Sequence, residues 1–133
     1  MSRPLSAYLA RYDGEEFRCG LQVTDKGLGV RLYSQTPRFG FDEVGNGTYV
    51  QAVSADECDA VFYSTTVGQW RGLDCAISSE LDDKVLVEYL GGLVPKAVEY
   101  GFDRVERGVY RRWVPMDEIR GRRMHSTFIK KPG

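Results

Sequence analysis

The chain has little histidine and little cysteine. His125 is the single histidine, and Cys19, Cys58 and Cys75 are the three cysteines. These residues are too far apart in the sequence to indicate a clustered zinc site or a disulfide framework. We therefore interpret the cysteines as buried apolar side chains. His125 lies in a basic C-terminal segment, where we do not expect a catalytic base.

The chain also lacks a run of about 18 apolar residues, so a membrane-spanning helix is not expected. Arg11, Asp13 and Glu15 interrupt the N-terminal region, which argues against a secretory signal and predicts a cytoplasmic location. Neither a phosphate-binding Walker loop nor a dinucleotide-binding fingerprint is present. The sequence therefore predicts a protein that is not an enzyme and that uses no cofactor, no metal and no membrane.

Charge is distributed unevenly along the chain. Residues 120–133 carry five basic side chains and no acid, whereas the preceding 119 residues carry 13 basic and 19 acidic side chains. A basic segment behind an acidic body is able to bind nucleic acid, and it is also typical of a solvated, frayed chain end. The basic residues of this segment are Arg120, Arg122, Arg123, Lys130 and Lys131.

The strongest pattern in the sequence is an internal repeat. Residues 40–58 read GFDEVGNGTYVQAVSADEC and residues 101–119 read GFDRVERGVYRRWVPMDEI, with nine identities where composition alone would give about one or two. Upstream, Tyr12-Asp13-Gly14 matches Trp70-Arg71-Gly72 at an offset of 58, and Val30-Arg31-Leu32-Tyr33 matches Leu86-Val87-Glu88-Tyr89 at an offset of 56. We predict a first β repeat over 6–60, a second over 61–119 and a basic C-terminal tail over 120–133.

Each repeat has the pattern of short strands. In the first repeat, the predicted strands cover 7–12, 17–23, 29–33, 41–44 and 48–53. Asp13-Gly14 is a hairpin signal, and the shared glycines Gly47 and Gly108 predict a positive φ in a second turn. Short helices are predicted near 54–60, where a capping-box sequence occurs, and at 95–100, which begins with proline.

The predicted fold class is mainly β, a β-rich α+β protein with two tandem small β units. Short strands with frequent turns are typical of SH3-like barrels, and one curved sheet with pseudo-twofold symmetry is the alternative. A unit of about 60 residues has a thin core, so two copies gain stability by packing together.

The repeat separates residues that serve the fold from residues free to serve a function. The repeated Asp-Glu pairs at 56–57 and 117–118 are interpreted as acids at helix starts and not as catalytic carboxylates. The second repeat alone carries Tyr-Arg-Arg-Trp at 110–113, residue types that are frequent in interface hot spots. The candidate partner-binding residues are Tyr63, Trp70, Tyr110, Arg111, Arg112 and Trp113. In the alternative interpretation, the tryptophans fill the core and the arginines extend along it.

The runs TTVGQWRGLDCAISS, VEYLGG and GVYRRWVPMDEI resemble a pattern of small proteins from high-GC Gram-positive bacteria. Those proteins look like immunity partners of secreted polymorphic toxins. The resemblance covers most of residues 40–120 and assigns no site residues. It implies a bacterial, cytoplasmic immunity protein or antitoxin that occludes a toxin domain, and an acidic body is complementary to a basic, nuclease-like partner.

Other functions stay open at this point. A small β-barrel is able to bind nucleic acid, here through Arg120, Arg122, Arg123, Lys130 and Lys131. A pocket between the two repeats is able to hold a small molecule or to form the active site of an enzyme. Exposed sheet edges are able to join two copies into a homodimer.

Overall fold

The structure of the protein is a computed structural model that describes residues 4–132. Within that range, the first half of the chain forms β1 (Ser6–Tyr12), β2 (Glu15–Thr24), β3 (Gly27–Ser34), β4 (Asp42–Gly45), β5 (Thr48–Ser54) and a 3₁₀ turn (Ala55–Glu57). The second half forms β6 (Ala60–Trp70), β7 (Leu73–Leu81), β8 (Lys84–Tyr89), α1 (Val94–Glu99), β9 (Asp103–Glu106), β10 (Val109–Pro115), a 3₁₀ turn (Met116–Glu118) and β11 (Ile119–Lys130). The prediction of a mainly β protein is confirmed.

The strands belong to two compact units. Of the described residues, the first unit contains Ala7–Ser64 and 126–132, and the second unit contains Thr65–His125 and 4–6. One boundary therefore falls inside β6 and another inside β11. The basic segment after residue 119 is not a frayed end, because β11 continues to Lys130.

Both units have the same strand order. The first unit pairs its strands antiparallel in the order β1-β2-β3-β5-β4, and the second in the order β6-β7-β8-β10-β9. After each 3₁₀ turn, the next strand pairs with the first strand of its repeat, since β6 pairs with β1 and β11 pairs with β6. Within residues 4–132, the strand order of each unit is open. The sheet is therefore not closed into the SH3-like barrel that was one of the two alternatives.

The hairpin turns predicted from the repeat are present in both units. Asp13 and Gly14 have φ of 51° and 78°, and Arg71 and Gly72 have φ of 49° and 81°. Two successive residues with positive φ are the requirement of a type I′ turn, whose twist matches that of the flanking strands. The offset of 58 is thus confirmed, because both turns join equivalent strand pairs.

The offset of 56 between β3 and β8 is wrong by one residue. Val30 lies opposite Val53 in the first unit, and Val85 lies opposite Val114 in the second. The structural offset is therefore 55, and it aligns buried with buried positions. A slip of one residue exchanges the two faces of a strand, and the shared tyrosines of the two sequence runs favoured the incorrect alignment.

Each unit has its own apolar core. In the first unit, the main cluster of buried residues is Ala10, Phe17, Cys19, Val30, Leu32, Val53, Ala55, Cys58 and Val61. In the second unit, it is Trp70, Leu73, Cys75, Ile77, Val85, Val87, Tyr89, Ala97, Phe102 and Val114. The alternation of buried and exposed residues along β3 and β8 places one face of each strand in its core.

The two short helical elements are confirmed near their predicted positions. The 3₁₀ turn after β5 begins behind Ser54, whose Oγ accepts a hydrogen bond from the Asp56 amide at 3.2 Å. The helix α1 has Pro95 in its first turn, where the missing amide hydrogen is not needed. Its Ala97 is fully buried, which attaches the helix to the core of the second unit.

We expect Gly108→Val to lower the free energy of unfolding by more than about 1 kcal/mol, because a β-branched residue is strained at positive φ. Gly108 has φ 78°, and a Cβ atom there would meet no atom within 4 Å, so backbone strain is the only cost. Gly45→Val is the matched control, since Gly45 is equally open but is not among the glycines with positive φ. Equal urea midpoints for the two variants would contradict the turn assignment.

We also expect the thiols to resist modification in the folded protein. Burial raises the pKa of Cys19 and of Cys75 to about 11 and also raises the pKa of Cys58. Near pH 8 only about one thiol in a thousand is ionised at a pKa of 11, and the thiolate is the reactive form. Dithionitrobenzoate should therefore titrate three thiols in concentrated guanidinium chloride and react slowly without it. Rapid native reaction would show that a cysteine is accessible.

Candidate functional site

The Tyr-Arg-Arg-Trp sequence of residues 110–113 lies on β10, between β8 and β9. Successive side chains of a strand point to opposite faces of its sheet. Tyr110 and Arg112 lie on the core side of the second unit with the buried Val114, whereas Arg111 and Trp113 lie on the other side. The four residues therefore do not form one contact surface.

Arg112 is held by contacts within the second unit. Its Nη1 donates a hydrogen bond to the Tyr100 carbonyl at 2.6 Å, and its Cζ lies 5.0 Å from the centre of the Trp70 ring. Gly101 leaves room for this guanidinium, since a Cβ atom there would lie 2.6 Å from Nη1. These contacts hold the Arg112 side chain within the second unit. Arg112 is therefore a poor candidate for binding a partner.

Trp70 is a core residue, with 1% of its surface exposed. Its ring packs edge-on against Tyr100 and Phe102, with centroids 6.3 and 5.7 Å away. Its Nε1 donates to Glu118 Oε1 at 3.0 Å, which satisfies the polar end of the buried indole. Trp70 is therefore not available at the surface, and Glu118, one of the repeated acids, accepts its hydrogen bond.

Arg111 and Trp113 form, together with Leu86 and Glu88 of β8, what we call the outer face of the second unit. Leu86 lies opposite Trp113, and Glu88 lies opposite Arg111. Arg111 Nε donates to Glu88 Oε1 at 3.1 Å, and Arg111 Nη2 lies 3.1 Å from the same oxygen. Trp113 is 43% exposed. An oriented guanidinium beside an exposed indole offers polar and apolar contacts to a protein surface.

The first unit shows that the shared scaffold does not require a large residue at the position of Trp113. The equivalent residue there is Ala52, which lies opposite Arg31 and is exposed. The equivalent of Arg111 is Val50, which is buried. Both units form the same strand pairing, so the exposed indole of Trp113 is an addition to the common fold.

Tyr63 belongs to the first unit, whereas the other five candidate partner-binding residues belong to the second. Its ring centroid lies 4.9 Å from that of Tyr8, and the two planes are tilted by 57°. The half-buried Tyr63 side chain therefore has an aromatic neighbour in its own unit.

Four of the five basic residues of the C-terminal segment contact atoms of their own unit. Arg122 pairs with Glu80, while the Asp117 and Ile119 carbonyls accept from Arg120, the Gly121 carbonyl from Arg123, and the Asp56 and Cys58 carbonyls from Lys130. Lys131 follows the strand and is exposed. The three arginines are also exposed, so these contacts orient their guanidinium groups without burying them.

Sequence reasoning missed Leu86 and Glu88. The signal for both is the alternation of β8, where Val85, Val87 and Tyr89 are buried and the residues between them are not. The offset of 56 concealed this alternation, because it aligned Glu88 with the buried Leu32 of the first unit.

Among residues 4–132, no group of three or more histidine, cysteine, aspartate or glutamate side chains is arranged to hold a metal ion. Over the same range, no helix is long and apolar enough to cross a membrane.

We expect the two tryptophans to differ in their effect on stability. Trp70→Ala should lower the free energy of unfolding by about 3–5 kcal/mol, since it removes a buried aromatic ring and leaves a cavity. Trp113→Ala should change it by less than about 1 kcal/mol, because it places the first unit's residue at an exposed position. Urea unfolding followed by circular dichroism measures both. A loss at Trp113 as large as that at Trp70 would identify Trp113 as a core residue.

The chain was compared with families, curated proteins and solved structures. No curated protein and no solved structure matches it. One family matches residues 6–128, a range that runs from the start of β1 into the last residues of β11. The chain therefore belongs to the family described as Uncharacterised conserved protein UCP033725.

Proposed function

We propose that the protein is a non-enzymatic, cytoplasmic binding protein of the immunity or antitoxin type, which occludes a partner toxin domain. The contact surface in this proposal is the outer face of the second unit. The observation that carries it is the 43% exposed indole of Trp113 at a position where the same scaffold, in the first unit, has Ala52.

The composition of the outer face supports protein binding. Tryptophan and arginine are the residue types most enriched among interface hot spots. Glu88 already holds the guanidinium of Arg111 in one orientation, so less side-chain freedom is lost when a partner binds. The half-buried Arg111, held by Glu88, thus provides an oriented anchor beside the exposed Trp113.

The charge of the chain supports a basic partner. Outside residues 120–133, acidic side chains outnumber basic ones by 19 to 13. Complementary charge increases the rate of association and disfavours wrong partners. A toxin domain that cleaves nucleic acid carries basic groups for its own substrate, and an acidic protein is able to occupy them in competition with that substrate.

Nucleic-acid binding is the second candidate function, and the exposed β11 supports it. Arg120, Arg122 and Arg123 lie close together on this strand, in a segment that contains no acid. Exposed guanidinium groups of this kind are able to contact phosphates. The pairing of Arg122 with Glu80 weakens this candidate, because one of the three charges is already neutralised.

We expect the double variant Trp113→Ala/Arg111→Ala to lose its protein partner. Removing two hot-spot residues should weaken binding by at least about 30-fold. The tagged variant and the wild type are used as baits in native cell extract, divided into nuclease-treated and untreated portions. A stoichiometric protein that survives nuclease and is absent from the variant's eluate is the expected result. The isolated pair is then titrated by calorimetry.

Phe128→Ala is the matched control for this experiment. Phe128 is an aromatic residue with 41% exposure, close to that of Trp113, but it lies on β11 in the first unit. This variant should retain the partner. Unchanged affinity of the double variant would disprove the outer face as the binding surface. Nucleic acid that co-purifies and disappears on replacing Arg120 and Arg123 by alanine would favour the second candidate.

A further inference from the structure

The first unit contains an open cavity of about 390 Å³. It lies beside the β1–β2 turn and the loop between β3 and β4. Its lining residues are Tyr12, Asp13, Glu15, Phe17, Pro37, Arg38, Phe39, Phe41 and Gln51. All of them belong to the first unit. Four aromatic rings and two carboxylates therefore surround one opening.

A guanidinium group already lies among these rings. The Cζ of Arg38 is 5.0 Å from the centre of the Phe17 ring and 5.9 Å from that of Phe41. Its Nη2 forms an ion pair with Glu15. The face of an aromatic ring attracts a cation because the ring quadrupole makes the potential there negative. A carboxylate binds the planar guanidinium by directed hydrogen bonds. The cavity thus has the chemistry of an arginine-binding site.

Arg38 is held only loosely in this place. The side chains of Arg38 and Glu15 are 36% and 52% exposed, and exposed ion pairs contribute little to stability. Phe39, which lines the same cavity, is fully exposed and is not part of the first unit's core cluster. Replacing Arg38 by another guanidinium group therefore requires little free energy, and the Phe39 ring is accessible to the incoming group.

The second unit differs from the first at positions that line this cavity. The equivalent of Tyr12 is the buried Trp70, and the equivalent of Gln51 is Arg112, whose guanidinium lies over the Trp70 ring. In the second unit these larger side chains are packed into the fold. Tyr12 and Gln51, which line the cavity of the first unit, are therefore not dictated by the common scaffold.

We propose that this cavity binds the guanidinium of an arginine side chain from another protein, which displaces Arg38. The incoming guanidinium stacks on Phe17 and Phe41 and pairs with Glu15, while Asp13 contributes a second negative charge at the rim. This inference does not rest on the outer face of the second unit. It adds a separate recognition site to the chain.

The probe for this site is N-acetyl-arginine amide, titrated into the ¹⁵N-labelled full-length protein. Amide shifts should saturate around Phe17, Arg38 and Phe41. N-acetyl-citrulline amide, which has the same shape without the charge, should produce no saturable shifts. Arg38→Ala should bind the arginine probe about three- to fivefold more tightly than the wild type, because an internal competitor is removed. Adding Glu15→Gln to this variant should abolish binding.

Arg11→Ala is the matched control, since the Arg11 guanidinium also lies over a ring of the first unit, 5.9 Å from the Phe62 centroid, but does not line the cavity. Its affinity should equal that of the wild type. The proposal is overturned if Arg38→Ala binds the arginine probe no more tightly than the wild type does. It is also overturned if the arginine and citrulline probes bind equally, or if no variant shows saturable shifts. Inorganic phosphate that binds the wild type but not Arg38→Ala would identify an anion site instead.

Discussion

The register between β8 and β10 fixes the arrangement of the second unit. Val85 lies opposite Val114, and Val87 lies opposite Arg112, so that these side chains meet on the core side. A shift of β10 by one residue would turn Arg112 and Val114 outward. The same shift would bring Arg111 to the core side and separate it from Glu88, and an unpaired buried charge costs several kcal/mol. Apolar burial and charge exclusion thus favour the same register.

A second constraint acts at the β6–β7 turn. Arg71 has φ 49°, a conformation that is costly for a residue with a side chain. Its guanidinium lies 4.9 Å from the centre of the Trp70 ring, and its Nε lies 3.6 Å from Glu118 Oε1. The carboxylate that receives the indole hydrogen bond of Trp70 thus also attracts the turn arginine. These contacts connect the β6–β7 turn to the 3₁₀ turn before β11.

The repeat made most of the fold predictable, because turns and capping residues leave local signals. Asp13-Gly14, the glycines at 47 and 108, and Pro95 each indicated an element that the structure contains. The alignment of β3 with β8 within the repeat was not predictable in the same way, since Val85, Leu86 and Val87 are all apolar and do not mark which face is buried. The faces of residues 110–113 follow from the alternation along β10 alone, which places Tyr110 and Arg112 on one face and Arg111 and Trp113 on the other. The cavity around Arg38 left no sequence signal, because its aromatic residues come from β1, β2 and the loop before β4.

The two units show how one scaffold accommodates two uses of the same side-chain chemistry. In each unit, a guanidinium lies about 5 Å from an aromatic ring, as Arg38 does over Phe17 and Arg112 over Trp70. In the second unit the ring is buried and the arginine is bound to the Tyr100 carbonyl, so both are committed to the fold. In the first unit the arginine is exposed and its ion pair is exchangeable. The residue that ends the first strand of the repeat differs as well, since Trp70 is buried whereas Tyr12 is half-buried and lines the cavity. A stabilising contact in one copy is thus a binding site in the other.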